Sequence, residues 1–397
     1  MPADRSPTLA AASLVAVMFI NMLGFGIVIP LLPFYAQSFH AAPWQIALIF
    51  SAFPIGTFFG EPFWGRLSDR HGRKPLLLST VTGTMLCYGA LAFAPSVTIA
   101  VLIRLAGGLA SGNGAVMQGY IADVTPPERR TRRLAWIGAA GSLGLVVGPS
   151  IGGVFARQHM GPAGFREPLL IASSLSATCL VALMLFVREP RVADRRAHPV
   201  GPSRWQAMGE VTRHPVIGRL MLLTFLVGFS FTGIESTFGL WGEARFGWGP
   251  KQVGWCFAAA GAVSGLSQFF LTGPLSERFG EARVLAGGMA LMVVCMALQT
   301  QSTGLAMTTA LMAASALGQS VSWPNVGALI SRNADPARQG QVLGLNNATG
   351  ALSRVAGPMT AGLAFAHLGH SAPWLIGAGI VAPAIGLALS AAGRAQR

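Results

Sequence analysis

Charge is the scarcest property of this chain. Only 11% of its 397 residues are Asp, Glu, Lys or Arg, about half of what soluble domains carry. This excludes a soluble enzyme, a disordered chain and a fibrous protein. Acids are rarer than bases, 14 against 28. The four cysteines, Cys87, Cys179, Cys256 and Cys295, lie far apart within apolar runs and form no CxxC pair, so neither a disulfide framework nor a zinc site is indicated. His367 and His370 stand too isolated to hold a metal. GxxxxGK[ST] and HExxH are both missing, which removes the support for ATP-driven pumping and for zinc hydrolysis. With no catalytic constellation, the chain is not expected to be an enzyme. Neither a metal nor a cofactor is expected, the proton alone serving as coupling ion.

Apolar residues make up 52% of the chain, with 50 Gly and 25 Pro. That composition suits kinked, closely packed membrane helices. A spanning helix needs roughly 20 apolar residues. Runs of that kind lie near residues 9–34, 44–66, 75–94, 97–122, 134–156 and 168–187 (spans 1 to 6). Six more lie near 217–241, 251–273, 283–301, 303–330, 342–366 and 372–392 (spans 7 to 12). The pattern predicts an all-α polytopic membrane protein with 12 transmembrane helices in two six-helix repeats. Its parts are an N-terminal bundle over 1–187, an Arg-rich linker over 188–216 and a C-terminal bundle over 217–397. The first run, with Pro30 and Pro33, reads as a retained span rather than a signal peptide.

The bases are placed asymmetrically. One set of alternate inter-span segments holds 22 Lys or Arg; the other holds four, Arg157, Arg166, Arg245 and Lys251. The positive-inside rule then puts both termini and the linker in the cytoplasm of a bacterial inner membrane. The same rule accounts for the net charge of +14 without a nucleic-acid partner.

The halves repeat. Gly65-Arg-Leu-Ser-Asp69-Arg70-His-Gly72 matches Gly273-Pro-Leu-Ser-Glu277-Arg278-Phe-Gly280 at an offset of 208. Gly141, Gly148 and Pro149 match Gly350, Gly357 and Pro358 at 209, as Pro127 and Arg129 match Pro336 and Arg338. Such repeats mark transporters. The stretch Gly65–Lys74 reads as a tight basic loop after span 2. Its glycines allow sharp turning. Its acid, Asp69, is able to accept backbone N–H bonds at a neighbouring helix N-terminus while Arg70 and Arg73 pair with other acids. In span 5, Gly141, Gly144, Gly148 and Gly152 share one helical face, an approach stripe for another helix, and Pro149 invites a kink.

The loop Gly65–Lys74, its weaker copy and the six-plus-six layout closely resemble the major facilitator superfamily. That resemblance implies that Gly65, Asp69, Arg70, Gly72 and Arg73, with Asp123 at the end of span 4, latch the two halves on the cytoplasmic side. Span 5 (Gly144, Gly148-Pro149, Gly152-Gly153) is similar to the motif of the drug/proton antiporter branch, which implies export. Ser68–Pro75, Tyr120–Asp123, Gly242–Trp248, Ser331-Arg332…Arg338-Gln-Gly340-Gln and span 1 with Gly24, Gly26, Pro30 and Pro33 are similar to bacterial tetracycline/proton antiporters. The resemblance departs at two acids: the one that group carries in span 1 is Asn21 here, and the one expected in span 9 falls near Met292.

Ionisable residues inside spans are costly and point to function. Glu235 in span 7, with Thr232 and Ser236 within reach on the helix, is the first proton-coupling candidate, and Glu61 in span 2, nearer water, the second. Arg104 opens a span 4 stretch similar to the family motif tied to proton coupling. Arg354 in span 11 either pairs locally or balances substrate charge. Asn21, Asn113, Gln118, Gln268, Gln319, Trp323, Asn325, Asn346 and Asn347 are candidates to line a pocket or to bond between helices. The expected function is proton-coupled efflux of small amphipathic molecules, such as tetracycline-like drugs, by alternating access and as a monomer in the lipid bilayer. The alternatives are a facilitator or importer of another solute, or a membrane sensor on a transporter fold.

Overall fold

The computed structural model describes residues 7–125, 127–187, 189, 214–335 and 339–392. All regular structure among them is helical. The helices are α1 (Pro7–Val28), α2 (Leu32–Gln37), α3 (Pro43–His71), α4 (Arg73–Ala92), α5 (Val97–Ala110), α6 (Asn113–Val124), α7 (Pro127–Phe155) and α8 (Arg166–Phe186). They continue with α9 (Pro215–Phe246), α10 (Pro250–Phe270), α11 (Thr272–Phe279), α12 (Glu281–Gln299), α13 (Leu305–Asn333), α14 (Gln339–Leu368) and α15 (Ala372–Ala392). Each of the twelve apolar runs coincides with one or two of these helices. Among the described residues, nine stretches are long and apolar enough to cross a membrane. The runs at 97–122, 303–330 and 342–366 fall short because span 4 is broken and because polar residues such as Gln319, Asn325 and Asn346 interrupt α13 and α14.

The chain divides into two compact units: Met1–Ala41 with Ala52–Val200, and Ala42–Ser51 with Gly201–Arg397. In the first, α1 packs on α7 and α8, and α4 on α8 and α5. In the second, α9 packs on α14 and α15, and α12 on α15 and α13. Span 1 with 5 and 6, and span 3 with 6 and 4, thus recur as span 7 with 11 and 12, and span 9 with 12 and 10. The repeat in sequence is a repeat in packing. The second unit also includes the first turns of α3, where Ser51 Oγ donates to the Val355 carbonyl at 2.9 Å.

Two expectations are corrected. Span 4 is not one helix: Ser111 (φ −78°, ψ 117°) and Gly112 (φ −148°, ψ 6°) separate α5 from α6. The break frees the Leu109 carbonyl, and a bare carbonyl inside a membrane costs several kcal/mol. The Trp64 indole Nε1–H of α3 donates to it at 2.7 Å. The Gly65–Lys74 stretch is not a loop either. Helix α3 continues to His71, with Ser68 Oγ donating to the Gly65 carbonyl at 2.7 Å. Gly65 makes no turn. The reversal is made by Gly72 alone, at φ 105°, ψ 155°, a conformation that only glycine adopts readily. Gly280 repeats it at φ 82°, ψ 147°, ahead of α12. The expected linker over 188–216 lies, but for Glu189 and 214–216, outside the described residues, and α9 begins within it at Pro215.

Candidate functional site

The span 5 stripe meets the backbone of span 1. A methyl group on Gly144 would stand 2.5 Å from the Phe19 carbonyl oxygen, and one on Gly148 would stand 2.6 Å from that of Leu23 and 2.7 Å from Gly26 Cα. Gly152 meets Ile27 in the same way. Residues 19, 23 and 27 are successive turns of α1, so glycine every fourth residue on α7 brings the two backbones into contact along three turns. Pro149 lies inside α7 beside Gly148, and Pro358 lies correspondingly inside α14. Gly153 is buried in the last turns of α7.

At the Gly72 turn, the N-terminus of α4 is held by a residue that the sequence patterns did not single out. Glu189, just past span 6, accepts the Arg73 N–H on Oε1 at 2.8 Å and the Lys74 N–H on Oε2 at 2.7 Å. Lys74 Nζ returns the contact by donating to the Met184 carbonyl at 2.9 Å. A carboxylate thus satisfies free N–H groups at one helix start, and an ammonium satisfies a free carbonyl at another helix end. An acid at the edge of an otherwise Arg-rich segment was the available signal. Arg73 Nη1 donates to Ser68 Oγ at 2.6 Å, and its guanidinium lies against Gly119 of α6. Asp123 stands one turn further along α6. The side chains of Asp69, Asp123, Asn113 and Gln118 lie outside the described residues; Arg70 is exposed. In the second unit the corresponding place carries an ion pair, Glu281 Oε1 to Arg332 Nη2 at 2.7 Å. Replacing Glu189 with Ala removes two acceptors and a charge at the start of α4. Thermal unfolding in detergent should show a loss of about 1 kcal/mol, with Glu189→Gln retaining part of it. An unchanged midpoint for Glu189→Ala would show that the clamp adds nothing.

Arg104 is buried, 5% exposed. Its guanidinium lies 4.6 Å from the centroid of the Phe53 ring, a cation–π contact. A narrow cleft beside it is lined by Thr84, Cys87, Tyr88 and Gly107. Arg104 Nε has no hydrogen-bond partner among the described residues. Glu61 is exposed on α3, next to Gly60, whose face packs on Leu109 of α5. Asn21 is half-buried on α1.

In the second unit, the indole of span 10 and the guanidinium of span 11 meet at Gly350, and span 7 carries a carboxylate in the field of that guanidinium. Glu235 on α9 is half-buried and feels the charge of Arg354 on α14. Arg354 and Trp323 flank Gly350: a methyl group there would lie 2.8 Å from Trp323 Cη2 and 3.8 Å from Arg354 Nη1. The indole of Trp323 also faces Gly228 of α9. Thr232 and Ser236 do not donate to Glu235 as expected. Thr232 Oγ1 donates to the Gly228 and Ser353 carbonyls at 2.8 and 3.3 Å, and Ser236 Oγ to the Gly233 carbonyl at 2.7 Å. Helical hydroxyls find a backbone carbonyl one turn back more easily than a flexible carboxylate. Thr224 Oγ1 donates to Asn346 Oδ1 at 2.7 Å, and Ser276 Oγ to Asn325 Oδ1 at 2.8 Å, so both asparagines tie helices together. Gln319 is half-buried, while Gln268 and Asn347 are exposed.

Comparison with known proteins agrees with this architecture. The family model described as Major Facilitator Superfamily matches residues 14–250 and 220–395. The chain is similar to the "Tetracycline resistance protein, class C" of Escherichia coli, at 28% identity over 91% of each chain. It is also similar to "Multidrug resistance protein 2" of Bacillus subtilis (strain 168), at 24% identity over 94% of this chain and 92% of that one. Among solved structures, nucleoside transporter NupG superposes with a TM-score of 0.79 at 15% identity, over 96% of this chain and 98% of that one. The human organic anion transporter MFSD10 (TETRAN) superposes with a TM-score of 0.71 at 23% identity, over 97% of this chain and 100% of that one. With two halves that repeat in sequence and in packing and a family model covering both, the chain belongs to the major facilitator superfamily: it is a multi-pass membrane transporter similar to tetracycline and multidrug resistance proteins, and not an enzyme.

Proposed function

We propose that this transporter exports small amphipathic molecules, tetracycline-like compounds among them, in exchange for protons. It works by alternating access as a monomer in a bacterial inner membrane, with both termini cytoplasmic. Residues 1–187 and 217–397 are its two halves and 188–216 the cytoplasmic linker. The names of the relatives support a drug substrate, and the 22-to-4 asymmetry of basic residues supports the orientation. The observation that carries proton coupling is the half-buried Glu235 carboxylate within span 7, in the electrostatic field of Arg354 on span 11. A carboxylate there has two states that differ by a full charge, and the transporter's two conformations respond to that charge differently. Gly65, Asp69, Arg70, Gly72, Arg73 and Asp123 act as the cytoplasmic latch, and Glu61 and Arg104 assist coupling. Asn21, Asn113, Gln118, Gln268, Gln319, Trp323 and Asn346 contribute to the substrate path.

Asn21 and the stretch near Met292, which fall where the resemblance to tetracycline/proton antiporters implies acids, favour a second reading, a facilitator without coupling. Inverted vesicles distinguish the two. With an imposed gradient, acid inside, they should accumulate tetracycline or an amphipathic dye and lose it on addition of an uncoupler. Equilibration independent of the gradient would establish the facilitator instead.

A further inference from the structure

Four basic residues fall on the side of the membrane that the charge bias leaves nearly bare, and two of them, Arg157 and Arg166, meet at one place. They stand at the rim of a cavity of about 580 Å³ between the segment 157–165 and the start of α8. Glu167 shares the rim, its Oε2 3.2 Å from Arg157 Nη2. Arg166 lies 5.4 Å from the Phe93 ring centroid. Arg245, by contrast, is engaged by the Ser302 carbonyl at 3.2 and 3.1 Å. Below the rim the cavity wall is Leu170, Leu175 and Thr178, with Ser174 on the same face. Thr178 Oγ1 is spent on the Ser174 carbonyl at 3.0 Å, so the wall presents little polarity. From Arg166 to Thr178 the helix rises roughly 18 Å, about one leaflet of a hydrocarbon core some 30 Å thick. Arg166, Leu170, Ser174 and Thr178 are all exposed along one side of α8, so this face is turned away from the bundle.

We propose that this groove binds one anionic diacyl phospholipid, its phosphodiester on Arg157 and Arg166 and an acyl chain along Leu170, Leu175 and Thr178. The choice of occupant follows from charge. Two guanidinium groups and one carboxylate leave the rim with one positive charge, which a headgroup of net charge −1 balances and a zwitterionic headgroup does not. A second protein helix would leave that charge facing apolar surface. The lipid holds the turn between spans 5 and 6 at the interface, independently of what is transported.

The test is native mass spectrometry of the full chain in non-ionic detergent, with dioleoyl phosphatidylglycerol or dioleoyl phosphatidylcholine added. The expected result is one tightly retained phosphatidylglycerol, favoured at least tenfold over phosphatidylcholine. Arg157→Ala/Arg166→Ala should lose that preference. Ser174→Trp, which keeps both charges and fills the apolar wall, should lose retention at least tenfold. Elution as a single species and unchanged helical circular dichroism show that each variant is folded, and either variant suffices if the other is not. Equal retention by wild type and folded variants overturns the proposal. So does equal retention of the two lipids by wild type, or a dimer that Ser174→Trp abolishes.

Discussion

Gly148→Leu is expected to reduce transport at least tenfold, equivalent to about 1.4 kcal/mol in the limiting barrier, while Gly138→Leu in the same helix leaves it unchanged. The two positions differ in what surrounds them. A methyl group on Gly138 meets nothing within 4 Å, whereas one on Gly148 meets the Leu23 carbonyl oxygen at 2.6 Å and Gly26 Cα at 2.7 Å. These are backbone atoms, so no rotamer change relieves the clash and α7 has to move away from α1. Overpacking of this kind costs about 1–3 kcal/mol where side chains yield, and more where they do not. Because Gly144 and Gly152 make the same approach to Phe19 and Ile27, the displacement extends along the whole stripe. The measurement is dye efflux from cells producing equal amounts of each variant, with the unfolding midpoint of the purified proteins. Efflux by Gly148→Leu equal to that of Gly138→Leu would refute the account of the stripe as a close-approach surface.

Glu235→Gln is expected to abolish substrate-driven proton movement while substrate still binds. Glutamine has the size of the protonated acid and cannot ionise, so the variant is held in one of the two charge states that the proposed coupling requires. Arg354 then loses the negative charge it acts upon. Proton release from purified protein on addition of substrate, read in weak buffer, is the direct assay. If Glu235→Gln releases protons as the wild type does, the carrier is elsewhere, and Glu61→Gln becomes the variant to examine.

The spans and their repeat are legible in the amino-acid sequence because each rests on local or periodic properties. Hydropathy over some twenty residues, basic residues in alternate segments and glycine every fourth position need no knowledge of which helices are neighbours. The turn at Gly72 and its copy at Gly280 are legible for the same reason, since a residue type and a spacing repeat. Sequence patterns overstated continuity where backbone chemistry intervenes: an apolar run through 97–122 conceals the Ser111–Gly112 break, whose freed carbonyl is satisfied by an indole 45 residues away. What only the tertiary structure decided are pairings between distant residues. Glu189 reaches the start of α4 across more than a hundred residues. Trp323 and Arg354 meet at Gly350 from two spans, the hydroxyls beside Glu235 turn to backbone carbonyls, and Arg157, Arg166 and Glu167 gather at one rim. Membrane helices are interchangeable in hydropathy, so their contacts are chosen by shape and by the few polar groups they carry. Those choices exist only once the helices have packed.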